Sequence, residues 1–167
     1  MYRRLQAFGE RRSVALAPRA IDRYVVRGAL NELELLTFAR LIEAFEPDEV
    51  YVDACDPDAE RFGRRLAEAA RPGVRIISRH RADRDLAIVG AASVVAKVRR
   101  DAAIDRLRGR AGEVVGTGYP SDPETQQCVE RHARDGGSIP PWMRRSWETV
   151  QRVKRQHPAL TLERFAP

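Results

Sequence analysis

Two aspartates stand where a carboxylate is more useful for chemistry than for packing. Asp53 lies near the end of the apolar segment 50–54 (VYVDA), and Asp83 follows the apolar segment 74–78 (VRIIS) by a few residues. An ionised carboxylate inside an apolar strand is costly unless it is paired or binds a metal. If the two segments are neighbouring parallel strands, their carboxyl ends meet at one edge of the sheet. We therefore expect Asp53 and Asp83 to lie together at that edge.

A pair of carboxylates suits a hard cation with oxygen ligands, such as Mg²⁺ or Mn²⁺. Two such ions about 3.5–4 Å apart can activate water and stabilise the leaving oxygen of a phosphodiester. Basic side chains surround Asp83 and are expected to face phosphates: Arg79, His80, Arg81 and Arg84. Composition alone leaves Asp53 equally open to a structural role. Three further acids are interpreted as helix caps: Asp56, Asp58 and Asp85.

The charge of the chain also points to a polyanionic partner. Its 167 residues carry a formal net charge of +6 with a pI near 10.0, which favours binding to polyanions. Residues 1–60 hold 8 basic and 12 acidic side chains, whereas 61–167 hold 22 and 12. The binding face should therefore come mostly from the second part. Nearly all the bases are arginine, and a coding bias explains that equally well.

Several classes of protein are disfavoured. The two cysteines, Cys55 and Cys128, form no disulfide framework, and we interpret both as packing residues in a reducing cytoplasm. The charged residues 1–12 lack the apolar core of a secretory signal. The longest apolar run, 86–96, is too short to span a bilayer, and a buried helix explains it better.

The periodicity of the apolar residues predicts an α/β protein, with residues 1–167 as a single domain and a helical extension from about residue 120. Strands are predicted at 13–17, 50–54 and 74–78. Helices are predicted at 2–8, 33–45, 57–70, 86–108, 123–134 and 144–156. Loops are predicted at 115–123 and 136–141. Ser121 and Glu124 have the spacing of a capping box for the helix from 123.

The helix from residue 86 carries a face of small residues: Gly90, Ala91, Ala92, Ser93 and Ala96. Such a face allows close approach to a sheet or to another stretch of backbone, and tight packing is its usual purpose.

Four motifs occur in order: YVDACD, HRADRDLAIVGAASVVAKVRRD, GTGYPSDPET and RRSW. Each motif alone is weak, but the set over residues 2–155 resembles ribonuclease HII, especially its archaeal branch. That family shows a VDA strand end, an H-K-A-D segment leading into S-A-A-S-x-x-A-K-V-x-R-D, a G-S-G-Y-P-S-D-P loop and a late R-x-S-W. The resemblance implies a ribonuclease H-like fold, with a mixed sheet flanked by helices and further helices at the carboxyl end.

The resemblance also implies an activity and a set of residues. The family hydrolyses the RNA strand of RNA–DNA hybrids and cuts at single ribonucleotides in duplex DNA, with Mg²⁺ or Mn²⁺ held by four acids. Asp53 and Asp83 match two of the catalytic, metal-binding acids. Tyr119 matches the tyrosine that stacks on the sugar next to the ribonucleotide. Three basic residues fall where the family places phosphate contacts: Lys97, Arg144 and Arg145.

One part of the family pattern is missing. The other two acids belong to a D-E-A-G-R-G motif on the first strand, and the only Asp-Glu pair here is Asp48-Glu49, which A-G-R-G does not follow. The segment 2–8 (YRRLQAF) matches the end of the family's first helix, and 13–17 matches its third strand. We therefore expect an N-terminally truncated domain, monomeric if complete, whose activity as given is little or none.

Two other functions compete with the enzyme. The chain could be a non-catalytic nucleic-acid-binding module that keeps the basic surface, in which case binding to hybrids depends on salt and not on Mn²⁺. It could also be a plain arginine-rich α/β domain, which predicts weak binding without preference for ribonucleotides. No membrane partner is expected.

Overall fold

The computed structural model describes residues 7, 9–113, 115–134 and 139–156. Within these residues the chain forms helices and strands in the order α1 (Pro18–Val26), α2 (Leu30–Phe45), β1 (Glu49–Asp53), α3 (Ala59–Ala69), β2 (Arg75–Arg79), α4 (Ala82–Asp85), α5 (Ala87–Ala111), α6 (Pro123–Arg134) and α7 (Glu148–Gln156). They fall into two compact units: unit 1 holds residues 1–15 and 29–100, and unit 2 holds residues 16–28 and 101–167. The expected α/β class is confirmed. The single domain with an extension from about 120 stays a prediction.

The sheet of the described residues is a pair of parallel strands, β1 and β2. Their register places Asp53 opposite Arg79, and the N–H of Ala54 donates to the carbonyl of Arg79 at 2.9 Å. The helix between them, α3, makes the crossover that a parallel pair requires. Both carboxyl ends therefore lie at one edge, as the sequence predicted.

Unit 1 is built around a core between the helices and this sheet. Phe62 and Leu66 of α3 are fully buried, and the ring of Phe62 meets Phe38 edge to face at 6.1 Å. Burying side chains of this size stabilises a fold by about 1.5–3 kcal/mol each. Helix α3 comes very close to β2 at Gly63, where an added Cβ would lie 3.0 Å from the Cβ of Ser78. This close contact fixes the carboxyl end of β2 against α3.

Unit 2 has a core of its own. Helices α6 and α7 face each other through buried side chains, and Trp142 and Trp147 pack against them. The fully buried members of this core are Cys128, Val129, Val150 and Val153. The apolar faces of α6 and α7 thus pack against each other.

The predicted strand at 13–17 is wrong. These residues are not assigned to a strand, Val14 is 44% exposed, and no strand among the described residues pairs with them. Pro18 does not close a strand but occupies the first turn of α1, where its missing N–H costs nothing. The sequence analysis missed α1 altogether.

Three further predictions need correction. Helix α7 begins at Glu148, not at 144, because residues 140–147 form turns. The start of the long helix is not buried throughout, since Ile88 is 67% exposed and only Val89 and Val95 of α5 are buried. The cap of α6 is Asp122, not Ser121: the N–H of Thr125 donates to the Asp122 carboxylate at 3.2 Å.

The other predicted helices and strands agree with the structure to within a few residues. The helix at 2–8 and most of the loop at 136–141 lie outside the described residues. Among the helices that the structure describes, none is both long and apolar enough to cross a membrane.

Candidate functional site

Asp53 and Asp83 line the same cleft of unit 1. The cleft is open to solvent, has a volume of about 790 Å³, and lies beyond the carboxyl ends of β1 and β2. Its other lining residues are Ala54, His80, Arg81 and Arg84. The structure therefore places together the two acids that the sequence selected, with basic side chains beside them.

Asp53 is fixed by a backbone contact across the edge of the sheet. It ends β1, and its Oδ1 accepts the N–H of Ala82, the first residue of α4, at 3.2 Å. Ala82 itself is buried, 1% exposed. This bond joins the end of β1 to the short helix that carries Asp83, so the two carboxylates share one support.

Helix α5 packs closely against the backbone of Asp83. A Cβ added at Gly90 would lie 2.8 Å from the backbone oxygen of Asp83, which is closer than real Cβ atoms come to any atom. Only glycine lets α5 approach α4 so closely. Within the small-residue face predicted for the long helix, Gly90 thus meets a backbone segment that carries a candidate ligand, whereas Ala92 and Ala96 are exposed.

Two unusual features shape the basic side of the cleft. Arg81 has a left-handed backbone, with φ of 58°, which is uncommon for a residue other than glycine. His80 places Nε2 3.1 Å from the carbonyl oxygen of Pro57. If Nε2 carries the proton, it donates to that carbonyl and leaves Nδ1 available.

The side chains of the cleft supply part of the ligand set that a hard cation requires. Two partly buried carboxylates offer oxygen ligands of the kind that Mg²⁺ and Mn²⁺ prefer. In the part of the chain that the structure describes, no third ligating side chain completes this pair. Asp53 and Asp83 could hold such an ion together with water or with groups outside the described residues.

Of the three acids interpreted as helix caps, Asp58 is confirmed, whereas Asp56 bonds to the N–H of Asp58 before the helix and Asp85 ends α4. Asp58 accepts the N–H of Arg61 at 2.9 Å and caps α3. Asp56 is buried and accepts both the N–H of Asp58 at 2.9 Å and the guanidinium of Arg61 at 2.5 Å. These contacts fix the segment that follows Asp53.

The remaining predicted residues are spread over both units. Lys97 is exposed on the part of α5 that belongs to unit 1. Tyr119, Arg144 and Arg145 belong to unit 2, where Tyr119 is 45% exposed and Arg145 is exposed.

The loop of Tyr119 is held by the cap of α6. The N–H of Thr117 donates to Asp122 at 2.6 Å, and the N–H of Gly118 donates to the hydroxyl of Thr125 at 2.8 Å. The hydroxyl of Thr125 and the N–H of Thr117 lower the pKa of Asp122 to about 2. The tyrosine, 45% exposed, therefore lies on an ordered loop.

Sequence reasoning missed Asp22. Its carboxylate accepts the N–H groups of Arg145 and Ser146, each at 2.9 Å, and so fixes the RRSW segment. Burial raises the pKa of Asp22, but the bonds from Ser146 and Arg145 outweigh it and leave the pKa lowered. Nothing in the spacing of Asp22 distinguishes it from an ordinary solvent-facing acid of a helix.

The reading of the cysteines was incomplete. Both are free, and Cys128 is buried in the core of unit 2 as a packing residue should be. However, Cys128 also lies beside His132, one helical turn later, and beside Glu113. The interpretation of Cys128 as a packing residue alone therefore left out two potential metal-binding neighbours.

A parallel strand pair with helices around it and acids beyond its carboxyl end defines an α/β protein with an acidic site at the sheet edge. The family model described as ribonuclease HII matches residues 19–150. Ribonuclease HII of Thermococcus kodakarensis is 38% identical over 148 residues, which cover 83% of this chain and 64% of that protein. Ribonuclease HII of Pyrococcus furiosus is 38% identical over 158 residues, covering 91% and 69%.

Solved structures agree with the sequence comparisons. Ribonuclease H2 from Pyrococcus horikoshii OT3 superposes with a TM-score of 0.75 at 35% identity, covering 86% of this chain and 67% of that one. The ribonuclease HII of the PCNA:RNase HII complex from Archaeoglobus fulgidus gives 0.74 at 33% identity, covering 84% and 67%. The chain belongs to the ribonuclease HII family, and it spans about two thirds of the length of these relatives.

Proposed function

We propose that this protein is a type 2 ribonuclease H. The proposed activity of the enzyme is hydrolysis of the RNA strand of RNA–DNA hybrids and cutting at single ribonucleotides in duplex DNA, in the cytoplasm, by a protein that is monomeric if complete. The observation that carries the proposal is the cleft shared by Asp53 and Asp83, which lies within the residues that match the family. Its acids suit a divalent cation, and its arginines suit a phosphate backbone.

Asp53 and Asp83 are the residues that would hold Mg²⁺ or Mn²⁺. When bound, such ions supply an activated water and stabilise the leaving oxygen of a phosphodiester. The bond from Ala82 to Asp53 orients one carboxylate, and the close contact at Gly90 fixes the helix that carries the other. These contacts restrict the movement of both acids, and restricted ligands favour a metal site.

The arginines of the cleft bind the substrate backbone in this proposal. Arg81 and Arg84 line the cleft with the two acids, so positive charge lies next to the position of the scissile phosphate. Lys97, Arg144 and Arg145 contact phosphates further along the duplex. Tyr119 stacks on the sugar beside the ribonucleotide, and its exposure on an ordered loop supports that role.

A second function has an observation in its favour. Within the described residues the cleft gathers two carboxylates, whereas the family resemblance implies four. A two-acid cleft with a basic rim is compatible with a module that binds hybrid duplexes without cutting them. We therefore expect the 167-residue chain by itself to cleave poorly or not at all.

The test measures binding and cleavage of a duplex that contains one ribonucleotide, with and without Mn²⁺. We expect Mn²⁺ to tighten binding by the purified chain, and Asp53→Asn and Asp83→Asn to abolish that gain. Asp105→Asn, on the exposed surface of α5, is the matched control and should keep it. Binding that depends on salt but ignores Mn²⁺ in all four proteins would support the binding module instead. Cleavage at rates typical of the family would contradict the expected inactivity of the chain alone.

A further inference from the structure

We propose that Glu113, Cys128 and His132 form a second metal site, in unit 2, that binds one thiophilic divalent cation of the Zn²⁺ class. This inference goes beyond the nuclease function and does not rest on it. None of the three residues belongs to the motifs from which the function was argued.

The three side chains converge from two parts of unit 2. Cys128 and His132 are four residues apart on α6, so they lie on one face of the helix, one turn apart. Glu113 follows the end of α5. Each residue offers one ligand atom, and the three atoms all lie within 4.8 Å of one another. A bound ion would therefore tie α6 to the segment that follows α5.

The chemistry of the three donors selects the ion. Thiolate sulfur and imidazole nitrogen favour Zn²⁺ or Co²⁺ over Mg²⁺ and Mn²⁺. Three protein ligands leave a fourth tetrahedral position for water. A thiolate and a carboxylate also neutralise the two charges of the ion, so the complex carries no net charge in this partly buried position.

The surrounding residues restrict the three ligand side chains but leave the site accessible to an ion from solvent. Cys128 is 1% exposed, whereas the side chains of Glu113 and His132 keep 26% and 28% of their exposure. The imidazole of His132 meets the indole of Trp142 edge to face at 5.7 Å, which restricts its rotation. An ion can thus reach the site from the side of the carboxylate and the imidazole.

Binding requires only small movements of side chains. Nε2 of His132 lies 2.6 Å from Oε1 of Glu113, a hydrogen-bond distance that a bound ion must widen to about 3.3 Å, the edge of a tetrahedron with 2.0–2.1 Å bonds. Sγ of Cys128 lies 3.9 Å from the other carboxylate oxygen of Glu113, Oε2, and the three ligand atoms lie within 4.8 Å of one another. The guanidinium of Arg131 lies 3.3 Å from the same carboxylate, and its side chain is 48% exposed.

The ion competes with protons in this site. Burial, together with the charge of Glu113, raises the pKa of the Cys128 thiol. Binding therefore releases the thiol proton, and the affinity rises with pH. The competing interpretation is a hydrogen-bonded network of Glu113, His132 and Arg131 that binds no metal and leaves Cys128 as a packing residue.

The test is a Co²⁺ titration of the full chain, followed by absorption spectroscopy. We expect a thiolate-to-cobalt charge-transfer band and tetrahedral d–d bands that saturate at one ion per chain and disappear when Zn²⁺ is added. Cys128→Ser should lose the charge-transfer band, whereas Cys55→Ser, which removes the other thiol, should keep it. Glu113→Gln and His132→Gln should weaken Co²⁺ binding by about tenfold or more, because each removes a direct ligand.

Two results would overturn the proposal. One is the absence of a sulfur band in the wild-type chain at saturating Co²⁺. The other is a band that survives Cys128→Ser or disappears in Cys55→Ser. Because Cys128→Ser places a hydroxyl in the core, circular dichroism must first show that the variant is folded. The partly exposed Glu113 and His132 variants keep the test decisive if it is not.

Discussion

At the scale of single residues, strain and charge gather beside the two acids. Arg81 adopts a left-handed backbone directly before α4, and Glu46, at the end of α2, is the only other such residue besides glycine in the described part of the chain. The left-handed conformation costs such residues about 1–2 kcal/mol. At Glu46 it ends a helix. At Arg81 it turns the chain so that the N–H of Ala82 reaches Asp53.

Replacing Arg81 or Glu46 with glycine, in separate variants, distinguishes the effect of backbone strain from the effect of the Arg81 charge. Arg81→Gly and Glu46→Gly should each relieve about 1–2 kcal/mol of strain and lose about 0.4–1 kcal/mol to the greater freedom of the unfolded chain. From these two ranges we expect each variant to gain between about 0 and 1.6 kcal/mol in urea unfolding. Only Arg81→Gly should weaken binding to a hybrid duplex, since only it removes a base from the cleft. Equal affinity of the two variants would contradict the role of Arg81.

Asp122 makes the loop of Tyr119 sensitive to acid. Its pKa falls from 3.8 to about 2 in the folded chain, so the unfolded chain binds more protons in between. The contribution of Asp122 to stability is complete above about pH 4 and disappears as the pH falls through 2. The stability difference between wild type and Asp122→Asn should therefore shrink over that range in urea unfolding.

The neighbouring residue is the control for this prediction. Ser121 is exposed and was expected from sequence to cap α6, whereas the structure gives that cap to Asp122. Ser121→Ala should change stability by less than about 0.5 kcal/mol at any pH. If Ser121→Ala changes stability strongly, and the stability difference between wild type and Asp122→Asn does not vary with pH, the capping-box prediction stands instead.

At the scale of helices and strands, the contact between α4 and α5 decides where Asp83 lies. Gly90 meets the backbone oxygen of Asp83 with no room for a methyl group. Gly109, on the same helix, has no atom within 4 Å of an added Cβ. The two glycines thus share a helix and differ in what an added side chain would meet.

Gly109→Ala should raise stability by up to about 1 kcal/mol, the difference in helix propensity. Gly90→Ala should lose that gain, because the new methyl forces α4 away, and it should also weaken Mn²⁺ binding through Asp83. Thermal unfolding and Mn²⁺ titration measure the two effects. If Gly90→Ala is as stabilising as Gly109→Ala and binds Mn²⁺ like wild type, the contact does not position Asp83.

The sequence was informative where a pattern had one physical solution. A helix between two apolar segments favours a parallel crossover, and this placed Asp53 and Asp83 at one edge. It was misleading at Pro18, because proline can close a strand or begin a helix and only tertiary context chooses between them. Asp22 and Glu113 escaped notice because their partners, Arg145 and His132, are distant in the sequence.

At the scale of the whole molecule, most of the positive charge lies in the same part of the sequence as several of the family motifs. Its positive excess lies in residues 61–167, which include Lys97, Arg144 and Arg145. Each phosphate contact that is lost should reduce the slope of log affinity against log salt by about 1. Arg145→Ala should therefore lower that slope for hybrids and for plain DNA alike.

The most direct measurement is the affinity of the purified chain for Mn²⁺, without nucleic acid, in wild type, Asp53→Asn, Asp83→Asn and the double variant. If both carboxylates bind one site, each substitution should weaken binding by about tenfold or more, and the double variant should bind hardly more weakly than either single one. Asp105→Asn should bind like wild type. Unchanged Mn²⁺ affinity in both single variants would contradict the account, because the cleft would then bring the two acids together without binding a metal.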